Sequence, residues 1–338
     1  MRVAEAHIRR ASPPSTPSAS EHVNLVPLEL IREFEMQMKA LRIGDTTLVR
    51  AQKLERRLGI RRLHLKLEGE NPTGTHKDRV ALLHMLDARA KGFNAVTAVS
   101  CGNYGAALAY VADKLNMRSY IYIPAGFAAP RRAEIEGMGG TVVSVNGDYE
   151  AALRKATQDA DANHWYDANP GGQNRDLGLY AYTFIAKEIA QSLGRQPDWV
   201  SVPVGNGSLI GGMWQGFRGM SMKPRMLGVS NNNSAVHGIA SGLKDKLDVP
   251  NLTITEVNEP LAGNFLADAD EAVAAMVDSN GTGVEIPDED LVEMAGVIME
   301  EEGLDVLPAS AGAVLGITKL DSKNHVFVAV LTGRGHLG

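Results

Sequence analysis

A chain of 338 residues with 44% hydrophobic and 22% charged side chains has ordinary globular composition and is long enough for two α/β units. Its formal net charge of −6 gives no reason to expect nucleic acid or an anionic membrane as partner, so any bound anion must be held by a local arrangement. The one cysteine, Cys101, excludes an internal disulfide, and no apolar run approaches the roughly 20 residues of a membrane span, so the expected setting is cytoplasmic.

Residues 1–20, rich in Pro and Ser, read as a disordered tail. Pro27 to Met38 carries apolar residues at helical spacing. From there strands and helices alternate: strand Leu63–Leu67, helix Val80–Lys91, strand Asn94–Ser100, helix Tyr104–Asn116 and strand Ser119–Ile123. Helix Arg131–Gly137, strand Thr141–Val145 and helix Asp148–Asn163 complete a first series. A second runs through helix Leu179–Leu193, strand Trp199–Val204, helix Gly212–Gly219 and strand Arg225–Val229. Helices Phe265–Ser279 and Pro287–Glu302 and strand His325–Leu331 close it. Short apolar strands between helices predict parallel sheets covered on both faces, and two series predict two open α/β lobes. Ligand sites then belong at the C-terminal ends of the strands.

Four segments carry chemistry. Asn71-Pro-Thr-Gly-Thr-His-Lys77 puts a lysine after a turn, at a helix start where a plain cation sits at the wrong dipole pole but a Schiff-base lysine does not. Ser100-Cys-Gly-Asn-Tyr-Gly105 is a strand-to-helix turn whose N–H groups, Ser100 hydroxyl and Asn103 amide suit a small anion. A tight turn with a capping serine explains it equally well. Val204-Gly-Asn-Gly-Ser-Leu-Ile-Gly-Gly212 lets successive N–H groups converge as a phosphate cradle. It lacks the Gly-Lys-Ser/Thr ending of a triphosphate loop and the spacing of a dinucleotide fingerprint, so a monophosphate without a metal fits best. Leu331-Thr-Gly-Arg-Gly335 leaves Thr332 at a strand end, as a cap or as a partner for a ring nitrogen. Together the four describe one cofactor, pyridoxal 5′-phosphate.

In this order, from Gly44 to the C-terminus, the segments resemble the fold-type II pyridoxal-phosphate enzymes, and among them the threonine synthase branch. Ile123-Pro-Ala-Gly126, Trp165-Tyr-Asp-Ala-Asn-Pro170 and Pro308-Ala-Ser-Ala311 add to the likeness. The resemblance implies two doubly wound α/β lobes, as in tryptophan synthase β chains, with the cofactor between them. Residues 21–80 and 165–338 would form a large cofactor-binding domain, and 81–164 a small mobile substrate-binding domain. Lys77 would be the Schiff-base lysine and proton shuttle, and Asn103 the partner of the cofactor's 3′-oxygen. The turn Ser100, Cys101, Gly102, Asn103, Tyr104 would hold the substrate carboxylate; Gly205, Asn206, Gly207, Ser208 and Leu209 would cradle the phosphate. Thr332 would face the pyridine nitrogen, as in threonine synthases, where cysteine synthases have serine. Family likeness also implies a homodimer acting on a small amino acid, phosphorylated or not.

Four departures bear on the substrate. Thr75-His76 stand where most members have Ser-Phe, which leaves His76 to touch the cofactor phosphate or simply to pack. Arg175, the expected partner of a leaving phosphate, is followed by Asp-Leu-Gly-Leu-Tyr rather than the Glu-Gly-Gln-Lys-Thr pattern of threonine synthases. Leu307 replaces the usual Glu, and the final lysine is lost to His336-Leu-Gly338. The expected reaction is therefore α-proton abstraction with elimination or replacement, converting O-phosphohomoserine and water to threonine and phosphate. The alternatives are a specialised dehydratase or a cysteine or cysteate synthase-like enzyme, and a pyridoxal-phosphate-binding partner without catalysis.

Overall fold

The computed structural model describes residues 26–100, 102–126, 131–169, 171 and 174–335. The expected tail at 1–20, Cys101, and the His336–Gly338 ending lie outside the described residues. Two sheets organise the chain. The larger has six strands in the order β1 (Leu48–Arg50), β2 (Arg62–Leu67), β10 (Val326–Leu331), β7 (Trp199–Pro203), β8 (Arg225–Ser230) and β9 (Thr282–Glu285). Only β1 is antiparallel to its neighbour. The smaller holds four parallel strands in the order β5 (Thr141–Val145), β4 (Arg118–Pro124), β3 (Ala95–Val99) and β6 (Tyr166–Asp167). It takes in Tyr166–Asp167, past the boundary expected at 164.

The alternation along β10 sends Val328 and Val330 into one core and Phe327, Ala329 and Leu331 into another, so both sheet faces are covered. Helices α1 (Leu28–Leu41), α3 (Lys77–Ala90), α7 (Arg175–Leu193) and α8 (Ser208–Gly219) cover the first face. Helices α2 (Gln52–Leu58), α11 (Asp288–Glu302) and α12 (Pro308–Thr318) cover the second. Three helices begin earlier than the apolar pattern suggests: α3 at Lys77, α7 at Arg175 and α8 at Ser208. Polar residues in the first turns of α3 and α7, and the glycines of Ser-Leu-Ile-Gly-Gly in α8, hide helical periodicity. The helix expected from Phe265 starts only at Ala269 (α10, Ala269–Asp278). The preceding Asp268 is pinned instead, its N–H donating to Asn206 O at 2.9 Å.

Helix α8 lies directly on α7. A Cβ on Gly212 would sit 2.3 Å from the Leu179 carbonyl oxygen, a backbone atom that cannot yield. Gly212→Ala is therefore expected to destabilise the fold by about 1–3 kcal/mol. Gly296, exposed in the middle of α11 with nothing within 4 Å of its Cβ position, gives the opposite sign. Gly296→Ala should stabilise by up to about 1 kcal/mol. Urea unfolding of the two variants checks both; equal midpoints would contradict the packing described.

Candidate active site

The four chemical segments all follow the C-terminal ends of parallel strands: Asn71–Lys77 after β2, Ser100–Asn103 after β3, Val204–Leu209 after β7 and Thr332 after β10. Backbone bonds then join the first segment to the last. His76 N–H donates to Thr332 O at 3.0 Å, Arg334 N–H to Gly74 O at 3.0 Å, and Thr75 bridges Gly333. Lys77, the first residue of α3, is thereby fixed beside the end of β10. His76 joins the same contact through its ring. Its Nδ1 lies 3.1 Å from Thr332 O, and a carbonyl only accepts, so Nδ1 carries the proton. Burial, and then Lys77 beside it, holds this imidazole well below its ordinary pKa and therefore neutral.

A small pocket brings Lys77, Tyr104, Arg175, Asn206 and Ser208 together with Tyr182 and Asp268, which no motif singled out. Both are buried, Asp268 at 2% exposure and Tyr182 at 1%. Their only signal lies in the fold: Tyr182 reads as helix interior and Asp268 as an ordinary acidic helix start. Burial lowers the Lys77 amine to about 8, against the opposing pull of Asp268 and Glu259. Burial raises the Asp268 carboxyl, although Ser208 and Arg175 counter it. Among the described residues, Asp268 Oδ1, Arg175 Nε and the Tyr182 hydroxyl are buried without a hydrogen-bond partner. A wider open cleft of about 440 Å³ lies between Asn231 and Asp288 and is lined by no residue of the four segments.

The remaining expected residues take these places. Ser100 Oγ accepts from Gly105 N–H at 3.0 Å, so its hydroxyl caps α4 (Asn103–Leu115). Gly102 is the residue before that helix, and Cys101 lies outside the described residues. The Tyr104 hydroxyl donates to Ala168 O at 2.6 Å and accepts from His84, which keeps the ring in the pocket wall. Asn103 Oδ1 accepts from Arg131. Ser208 Oγ donates to Asp268 at 2.5 Å, leaving its backbone N–H for an incoming anion. Arg175 Nη2 lies 2.5 Å from Glu271, and its Nε 3.7 Å from Asp268. Thr332 Oγ1 is 2.9 Å from Ser310 Oγ, a partner contributed by the Pro308-Ala-Ser segment at the start of α12.

The chain is 30% identical over 320 residues to the threonine synthase of Methanocaldococcus jannaschii, covering 89% of this chain and 77% of that protein. It is 31% identical over 319 residues to that of Methanosarcina acetivorans, covering 90% and 75%. Maize serine racemase superposes with a TM-score of 0.78 at 17% identity, over 91% of this chain and 93% of that one. The model of the pyridoxal-phosphate dependent enzyme family matches residues 39–333, and the chain belongs to that family.

The residues present fit the cofactor. Gly207 has φ +102°, and a Cβ there would lie 2.1 Å from Asp268 O, so only glycine closes this turn at the start of α8. The first N–H groups of that helix have no intrahelical acceptors, the donor set a phosphate needs. Lys77, in the same pocket as Asn206 and Ser208, would supply the amine. In the cofactor-free protein its acylation rate should rise through a midpoint near pH 8 as the ammonium gives up its proton. A competition assay read by peptide mass checks this, and a Lys77 midpoint matching the surface lysines would contradict the burial argument.

Proposed function

We propose that this pyridoxal-phosphate-dependent enzyme takes the α-proton of an amino acid and expels a β- or γ-substituent, the reaction class of threonine synthase. The observation that carries the reading is the convergence of a half-buried, pKa-lowered Lys77 with Asn206 and Ser208 of the Gly205–Leu209 cradle at one pocket. When bound, the cofactor supplies an electron sink for the carbanion. Lys77 Nζ, poised near neutrality, takes and returns protons as a base whose pKa suits the working pH. The N–H groups around Gly207 would hold the phosphate end, and the hydroxyl of Thr332, backed by Ser310, would offer the ring nitrogen a neutral partner that adds no charge. The substrate carboxylate falls to the Ser100–Tyr104 turn. Buried Tyr104 and Tyr182 keep the pocket wall dry. The stretch 81–164, which carries Asn103, closes over the substrate.

The pairing of Arg175 favours a second reading, in which the leaving group is not phosphate. Its guanidinium faces Glu271 and Asp268, so its charge is matched twice within the protein. Neither the Glu-Gly-Gln-Lys-Thr pattern nor its lysine follows to add a further cation. A β-hydroxyl or ester leaving group then suits the pocket better than a second phosphate. Phosphate release from O-phosphohomoserine and oxo-acid release from L-serine and L-threonine separate the two. If Arg175 receives a leaving phosphate, Arg175→Ala should cut kcat/KM on the phosphorylated substrate by roughly tenfold or more, with little change on unphosphorylated ones. Equal effects on both classes would remove that role.

A further inference from the structure

Arg131 is 2% exposed, although it precedes the short helix α5 (Arg132–Gly137) and carries a charge. All three nitrogens of its guanidinium donate hydrogen bonds. Nη1 donates to Asn103 Oδ1 at 3.0 Å, Nη2 to the Thr73 carbonyl at 2.8 Å, and Nε and Nη2 to Glu134 at 2.7 and 2.6 Å. A guanidinium has donors only, so the amide of Asn103 must turn its oxygen towards Arg131. Its Nδ2 is then committed to the opposite direction as a donor, and a flipped amide would set N–H against N–H. The Thr73 bond extends the lock to the other lobe. Thr73 N–H donates to Asp78 at 2.8 Å, and Asp78 is the residue after Lys77.

We propose that Arg131 is a positioning residue that fixes Asn103 as a hydrogen-bond donor towards the cofactor's ring oxygen, and so sets how far that oxygen is ionised. The proposal rests on the cofactor reading of Lys77 and Asn103 given above. The role assigned to Arg131 needs no contact with substrate or cofactor. It acts by allowing Asn103 a single orientation and by holding the Asn103 turn against the segment that carries Lys77. A purely structural arginine would change stability and leave the electronic state of the bound cofactor alone.

The absorption spectrum of the cofactor-loaded protein distinguishes the two, because the ionised and protonated forms of the ring oxygen absorb at different wavelengths. Arg131→Met removes every donor while keeping much of the bulk. It should lower the ratio of ionised to protonated form by roughly tenfold at fixed pH, the size expected when a hydrogen bond to a charged group is lost. Arg131→Lys keeps one donor for Asn103 Oδ1 and should stay within about threefold of wild type, which preserves the test if the methionine variant folds poorly. Asn103→Ala should produce the same spectral change, and adding it to Arg131→Met should add nothing further. A wild-type spectrum from a loaded Arg131→Met protein, or additive effects in the double variant, overturns the proposal while leaving Lys77 as the attachment site. A wild-type protein that takes up no cofactor overturns both.

Discussion

A buried cluster of four charges holds the lysine in place. Arg79, two residues into α3 from Lys77, is fully buried and binds Glu68 through Nε at 2.7 Å and Nη2 at 2.8 Å. The same guanidinium reaches Glu188 of α7 at 2.6 and 2.8 Å, and Glu188 in turn takes Lys66 of β2 at 2.5 Å. Two cations balance two anions, so the cluster is neutral as a whole while no member can be spared. Burial works against the Glu188 charge, yet Arg79 and Lys66 outweigh it and hold its carboxyl at about 2. Thr46 and Asn71 satisfy more of the Glu68 oxygens, which ties the Gly44–Thr46 loop to the same point. Such a cluster adds little net stability compared with a well-packed apolar one, but losing one partner costs about 3–5 kcal/mol. Its role is to specify a single register for the start of α3.

From that fixed start the rest of the site follows. The Gly74–His76 strand-like segment can pair with Thr332–Arg334 only if α3 begins at this height, and that pairing fixes the backbone before Lys77 against the end of β10. The parallel order β2-β10-β7 then brings the cradle after β7 to the same edge of the sheet. On the other sheet's side, Arg131 binds both Asn103 and the Thr73 carbonyl of the first segment.

Much of this was legible in the residues, for identifiable reasons. Strands such as Thr141–Val145 and Arg225–Ser230 are compact apolar runs bounded by turns, and the four chemical segments are contiguous in sequence. Helix α12 left no trace because Pro-Ala-Ser-Ala-Gly-Ala is small and buried nearly all round, so no polar stripe marks its period. Strands β1 and β9, three and four residues long, are too short for an alternation to register. The charges around the pocket were illegible for a different reason. Asp268 meets Ser208 across 60 residues, Arg175 meets Glu271 across 96, and Arg131 meets Asn103 across 28. None of these separations is a helical or strand spacing, so only the folded chain pairs them. The same pairs bear on the substrate: a motif shows that an arginine is present, whereas the fold shows whether its charge is already matched.

The claim on which the account turns is that the amine at the start of α3, and no other, carries the cofactor. Borohydride reduction of the cofactor-loaded protein, followed by proteolysis and mass mapping, tests it directly. The account predicts a single modified peptide containing Lys77. A reduced adduct on Lys66, Lys187 or a surface lysine, or no adduct from a protein saturated with cofactor, would contradict it.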